Sequence, residues 1–275
     1  REHRPDERQG TGAAGEIGEP PALGRAAAHL EPAGQRPLAL QVGVLGVLHD
    51  LGDLEHARAD LLLGTAPAAL LVFAGGFNGL ILPIGEWVLR TACQQAAKWP
   101  KPLGVAVNLS AMQFKGRNIV QIAVNALAMS GLAAERLDLE ITESVLLQDE
   151  ANTLAILHQL REIGVRISMD DFGTGYSSLA YLRNFPFDRI KIDRSFVRDM
   201  LVRKDCRAIV RAVVGLARSL GITTIIEGVE TKEQLETAQA DGCDLGQGYI
   251  FSKPMPEREI TAFLAKRERT AAAAA

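Results

Sequence analysis

After residue 80 the chain alternates between short apolar runs rich in Val, Ile and Leu and longer stretches whose apolar residues recur every three or four positions. The short runs suit strands buried on both faces, and the longer stretches suit amphipathic helices packed against them. Such an alternation specifies a mostly parallel sheet, because parallel neighbours need a crossover between them and a helix is the usual one. Strands are expected at Val105–Leu109, Leu137–Thr142, Val165–Met169, Arg189–Asp193, Ile222–Ile226 and Leu245–Ile250. Six strands in series favour closure over a small doubly wound sheet, so the fold class predicted is α/β, a TIM-like (β/α)8 barrel.

The helices are expected from Pro83 to before Pro100, at Asn118–Met129 stopped by Gly131, and at Asn152–Ile163 stopped by Gly164. Further helices are expected at Tyr176–Leu182, at Lys204–Leu220 stopped by Gly221, at Lys232–Gln239 and at Glu257–Lys266. Eight-strand closure needs two more strands, and only the first 80 residues remain to supply them. That segment is rich in Ala, Gly, Leu, Pro and Arg, with Phe73 and Phe77 its only aromatics. Leu40–Leu48 and Thr65–Phe73 suit a strand or a buried helix piece equally. Residues 1–20, of mixed charge with Gly and Pro, read as a disordered terminus, and 21–78 as an atypical segment replacing or distorting the first barrel strands. Residues 79–268 read as the barrel domain and 269–275 as a low-complexity alanine tail.

Charge and cysteine usage narrow the function. A net charge of -3 offers no basic field for polymeric nucleic acid, and every apolar run is broken by Gly, Pro or charge before it could span a bilayer. Cys93, Cys206 and Cys243 are an odd, widely spaced set, which predicts reduced thiols and a cytoplasmic setting.

In a β/α barrel the chemistry sits where the strands run out, so polar residues at those ends define the candidate site. They are Asn108, Glu140 with Glu143, Asp170 with Asp171, Lys191 with Asp193, Glu227 with Glu230, and Gln247. Singly each has a structural reading: Asn108 and Gln247 satisfying backbone groups, Glu143 a helix N-terminal acid, Lys191 and Asp193 a rim pair, Glu230 in the first turn of a helix. Together they recur at successive strand ends, as independent structural acids should not. Acids gathered around one axis with one amide and one lysine are what a divalent cation would both supply and require. Oxygen ligands without a Cys or His cluster point to Mg²⁺ or Mn²⁺, and two such ions would activate water on a phosphodiester. Asp170 and Asp171 are adjacent, so they can share a centre only where the strand ends and the backbone turns.

Across roughly Gly79–Pro256 the chain resembles the EAL domain family, the bacterial cyclic di-GMP phosphodiesterases. The residues that carry the resemblance begin with Gly79–Val88 (GLILPIGEWV), Val107–Ser110 (VNLS), Leu139–Ser144 (LEITES) and Asp170–Leu179 (DDFGTGYSSL). They continue with Lys191–Phe196 (KIDRSF), Glu227–Thr231 (EGVET) and Gly246–Tyr249 (GQGY). The resemblance implies metal-dependent hydrolysis of cyclic di-GMP to linear pGpG, with two Mg²⁺ or Mn²⁺ ions. It implies Asn108, Glu140 and Asp170 as ligands of the first ion, and Asp170 with Asp171 reaching the second. Lys191 is implied as the lysine that orients water and neutralises charge, Glu227 as the general base, and Gln247 as an amide that helps hold the site. Glu143 resembles the acid anchoring the loop Asp171–Ser178, a loop that in the family links dimerisation to metal loading. A homodimer and attached signalling domains are the partners implied besides cyclic di-GMP.

The resemblance stops at the beginning. The family's Glu-Ala-Leu motif, whose glutamate is a metal ligand and whose following arginine grips substrate phosphate, occurs nowhere in this chain. Asp50, Asp53 and Glu55 stand in a stretch that does not match it. So sharp a change at Gly79 points to a shifted reading frame, a fusion or a rearrangement. It also raises the alternative of an inactive cyclic di-GMP receptor or interaction module.

Overall fold

The computed structural model describes residues 25–29, 41–43, 81–115, 118–146, 149–173, 179–253, 259–260 and 262–265, with 25–29, 41–43 and 179–181 described as backbone only. Eight strands close one barrel in chain order. They are β1 Arg25–His29, β2 Gln41–Gly43, β3 Gly104–Leu109, β4 Leu137–Thr142, β5 Arg166–Phe172, β6 Arg189–Ile192, β7 Thr223–Glu227 and β8 Leu245–Gln247. Neighbours from β2 to β8 are parallel, whereas β1 runs antiparallel to both β2 and β8 and so completes the ring. The two strands required of the first 80 residues are thus present, and β2 falls inside Leu40–Leu48. Residues 1–20, Thr65–Phe73 and the alanine tail lie outside the described residues.

The helices are α1 Ile81–Ala96, α2 Ala111–Lys115, α3 Ile119–Ser130, α4 Glu143–Leu146, α5 Glu150–Glu162, α6 Leu179–Asn184, α7 Arg194–Asp199, α8 Lys204–Leu220 and α9 Lys232–Ala240. Gly131 and Gly221 end α3 and α8 as expected: both take the left-handed conformation, φ 69° and 71°, that glycine adopts without penalty. Asp149 caps α5 through Asn152 N, and Thr231 with Gln234 forms a capping box on α9. Residues 259–260 and 262–265 are helical, within the last predicted helix.

Period-two alternation divides each strand between two environments. Val105, Val107 and Leu109 of β3, Leu137, Leu139 and Ile141 of β4, Ile167 and Met169 of β5, and Ile190 and Ile192 of β6 all join the large apolar cluster shared with the helices. The residues between them face the lumen: Asn108, then Asp138 and Glu140, Ser168 and Asp170, Arg189 and Lys191. In β7 and β8 the lumen carries Ile225 and Leu245, which form a small apolar pair of their own, and above them Glu227 and Gln247.

Two strand boundaries differ from expectation. The predicted strand Leu245–Ile250 stops at Gln247, because the chain wraps closely around Val229 there: Val229 N donates to Gln247 O at 3.0 Å and Ile250 N donates to Val229 O at 3.1 Å. A Cβ on Gly248 would collide with the Val229 backbone. Conversely, β5 does not end before the paired acids but runs through them to Phe172, over a register shift against β6 between Met169 and Phe172.

Candidate metal and catalytic site

That irregularity of β5 is what lets two adjacent acids serve one centre. Asp171 takes φ 53°, a left-handed conformation uncommon for a residue with a side chain, and its N–H donates to Asp170 Oδ1 at 3.1 Å. A straight strand would send the two carboxylates to opposite faces. Here ligand oxygens of Asp170, Asp171 and Glu227 all lie within 4.8 Å of one another. The sequence predicted a turn at this point; the structure achieves the same convergence with a bulge inside the strand.

Lys191, from β6, stands at the centre of the mouth. It is 2% exposed, and its Nζ lies 2.8 Å from Glu140 Oε2, 2.8 Å from Asp170 Oδ1 and 2.7 Å from Glu227 Oε1. The expected rim pair of Lys191 with Asp193 does not form, since Asp193 instead caps α7 by accepting from Ser195 N at 2.9 Å. Asn108 Nδ2 donates to Glu140 Oε2 at 3.0 Å, across a register that sets the two residues side by side. Gln247 is buried directly beside Glu227 in the β7–β8 register. Glu143 opens α4, and its Oε1 accepts from Gly173 N at 3.4 Å, tying β4's end to the start of the loop after β5. Residues 174–178 of that loop lie outside the described residues. Glu230 sits before the α9 cap, its N–H donating to Gln234 Oε1 at 2.8 Å, and so belongs to the cap and not to the first helical turn.

The electrostatics follow from burial. Glu140 is 4% exposed; desolvation pushes its carboxyl up to about 7, against the pull of Lys191 and with the push of Asp170. Burial works to lower the Lys191 ammonium too, but Glu140, Glu227 and Asp170 outweigh it and hold its pKa well above the usual lysine value. Desolvation, with Asp170 and Glu227 nearby, pushes Asp171 up to about 6. Groups pushed in this way around a lysine mark an acid-rich pocket suited to a divalent cation.

A second lumen layer lies below, and the sequence reading did not single it out. Asp138 accepts from Ser168 Oγ at 2.7 Å and from Arg189 Nη1 at 2.5 Å. The signal was available, because Asp138 precedes Glu140 by two residues and therefore shares its face. These three side chains pair with one another beneath the upper layer. The three cysteines are buried, with the Cys93 and Cys243 thiols pushed up to about 12 by desolvation, and so supply no nucleophile.

Comparison with known proteins agrees with this geometry. The family model described as EAL domain matches residues 54–254. The chain is 40% identical over 241 residues to the bifunctional diguanylate cyclase/cyclic di-GMP phosphodiesterase MucR of Pseudomonas aeruginosa, a match covering 86% of the chain and 34% of that protein. An uncharacterized protein, y4lL of Sinorhizobium fredii, is 46% identical over 239 residues, 86% of the chain and 28% of the relative. The chain thus spans about a third or less of the length of these curated relatives. Among solved structures, the PaMucR phosphodiesterase in complex with c-di-GMP superposes with a TM-score of 0.74 at 37% identity, covering 87% of this chain and 93% of that one. Klebsiella pneumoniae BlrP1, in its manganese/cy-diGMP complex, superposes with a TM-score of 0.65 at 26% identity, covering 88% and 58%.

Proposed function

Since the chain belongs to the EAL domain family, we propose that it is a metal-dependent phosphodiesterase that hydrolyses cyclic di-GMP to linear pGpG. The observation that carries the reading is the lumen mouth itself, where one buried lysine lies within 2.8 Å of three carboxylates and a fourth carboxylate stands beside them. Solved relatives carry cyclic di-GMP in their complexes, which supports the same substrate here.

The donor set fits a hard divalent cation, Mg²⁺ or Mn²⁺, held by Asp170, Asp171 and Glu227. When bound, such an ion polarises the phosphodiester and lowers the cost of ionising water. The chain's own residues do the rest. Glu227, nearly sealed from solvent, would take the proton from the attacking water through the carboxylate oxygen not given to the ion, as that water bonds to phosphorus, one ester P–O bond breaks and the departing ester oxygen takes up a proton from solvent. Lys191 holds that carboxylate in place and offers positive charge where the phosphorane oxygens gain negative charge. Gln247, side by side with Glu227, helps fix the β7–β8 end. Glu143 ties the loop after β5 to β4 through Gly173, and so couples that loop to the ligand-bearing bulge.

The chain lacks the Glu-Ala-Leu glutamate and the arginine that follows it. Losing a ligand and a phosphate clamp is expected to slow turnover by roughly 10²–10⁴ relative to a member that has them. The test is chromatography of cyclic di-GMP and pGpG with the purified chain in Mg²⁺ or Mn²⁺, beside Glu227→Gln. Slow conversion that the substitution abolishes supports the proposal. Binding in Ca²⁺ with no conversion in any metal would replace it with a receptor.

A further inference from the structure

The geometry points to Arg189, Asp138 and Ser168 as positioning residues of the site, a bonded trio one layer below the mouth that sets Lys191 and Glu140 against the bulged strand β5. The inference rests on the phosphodiesterase reading above and adds to it three residues that the resemblance does not assign.

Two residues before each mouth residue, on the same lumen face, stands a residue of the next layer down. Under Glu227 and Gln247 these are apolar, Ile225 and Leu245. Under Glu140, Asp170 and Lys191 they are Asp138, Ser168 and Arg189, and they bond to one another. Ser168 Oγ donates to Asp138 Oδ1 at 2.7 Å and Arg189 Nη1 donates to Asp138 Oδ2 at 2.5 Å. Asp138 is 2% exposed and Ser168 is sealed from solvent. Apolar side chains fill this layer on one side of the barrel. Filling alone therefore does not call for a carboxylate and a guanidinium on the other side, where desolvation works against both.

Their placement supplies the reason. Lys191 reaches from β6 past β5 to Glu140 on β4, and Arg189 makes the same reach to Asp138, two residues lower on both strands. Only the upper of these two ion pairs belongs to the mouth. The β5–β6 ladder is in register at Ser168–Arg189 and Met169–Ile190, then shifts before Phe172–Ile192. Asp170 and Lys191 therefore meet beyond the last regular rungs, where the ladder does not set their spacing. The trio ties β4, β5 and β6 together at the edge of that regular stretch. A cation or a phosphate arriving at the mouth competes for the groups around Lys191, so the upper contacts must exchange. The lower pair, one layer down, keeps the strands spaced while they do, as outer partners do for the groups they orient.

The test replaces the trio in the full chain by apolar side chains, Asp138→Leu/Ser168→Ala/Arg189→Met. Exchanging a buried ion pair for apolar residues of similar volume often leaves stability unchanged or raises it, so the folded variant separates positioning from filling. Circular dichroism and a thermal melt check the fold. Chromatography of cyclic di-GMP and pGpG, and electron paramagnetic resonance of free Mn²⁺ without nucleotide, read the site. The expected result is kcat lower and Mn²⁺ affinity weaker, each by about 10-fold or more. KM for cyclic di-GMP is expected to stay within about 3-fold, because no member of the trio touches substrate. Turnover and Mn²⁺ affinity both within about 2-fold of the wild type in the folded variant overturn the inference. Arg189→Lys keeps an ion pair with Asp138 and is expected to hold both readouts within about 3-fold; a loss as large as that of the triple variant overturns the role of the pair. Should the triple variant not fold, Ser168→Ala decides, with both readouts expected about 3-fold weaker and unchanged values overturning the inference. A wild-type chain that binds Mn²⁺ without turnover rejects the phosphodiesterase and leaves Mn²⁺ affinity to decide the trio. Wild-type turnover that the folded triple variant matches rejects the positioning role alone.

Discussion

Lys191 Nζ lies 2.7 Å from Glu227 Oε1, the two side chains arriving from adjacent parallel strands and meeting in the lumen with 3% and 2% of their side-chain surface exposed. Neither charge could be buried there alone, since an unpaired ion in so dry a place costs several kcal/mol. The barrel mouth is thus organised around a cation the chain supplies itself, with Glu140 and Asp170 completing its shell.

Removing that cation strands three carboxylates. Lys191→Met is expected to lose about 3–5 kcal/mol of stability in chelator. Urea unfolding followed by circular dichroism checks this, and Mn²⁺ should restore more of the loss in the variant than it adds to the wild type.

The pH dependence in chelator has an unusual sign. Glu140 is held near 7 in the folded protein by burial, above the value of about 4.3 for an unfolded glutamate. The folded state then binds more protons between those values, so this contribution is fully present below about 4.3 and is lost as pH rises through about 7. The stability difference between the wild type and Glu140→Gln, measured by urea unfolding from pH 5 to 8 in chelator, should move against the wild type as pH rises. A flat difference would remove Glu140 as its source.

Metal binding should stabilise the fold by linkage, because the ligands converge only in the folded barrel. Mn²⁺ at a hundred times its dissociation constant is expected to add about 2.7 kcal/mol. Melting temperature against Mn²⁺ concentration measures this, and Asp171→Asn should show no shift.

Gly248 tests the support of Gln247. Its Cα faces the Val229 backbone so closely that Gly248→Ala must move one segment or the other. The expected cost is about 1–3 kcal/mol from overpacking, with weaker turnover because the β7–β8 end shifts. A thermal melt and the chromatographic assay together check it.

The barrel was legible after residue 80 because each strand there is apolar on both sides of its polar positions, and because α3 and α8 end in glycines whose conformation the sequence announces. β1 and β2 were legible only as a requirement of closure: RAAAH and QVG carry no strand signature, and their pairing with β8 and β3 comes from the ring and not from local preference. The polar residues that meet at the mouth were legible as a set, since polar groups recur at successive strand ends. Asp138 lies one layer below those ends, inside β4, where a polar residue carries no strand-end signal.

By itself the sequence determined the class of fold, the acids and the lysine that gather at one end of it, and the family, because these follow from periodicity and from short motifs that need no long-range geometry. Only the tertiary structure decided which of those groups face one another. Asp170 and Asp171 converge because β5 bulges against β6, and Lys191 binds Glu140, Asp170 and Glu227 because the barrel's curvature brings three strands' side chains to one point. Its sequence neighbour Asp193 turns away to cap a helix. Such contacts span up to 51 residues of chain and depend on register and closure, which no local pattern encodes.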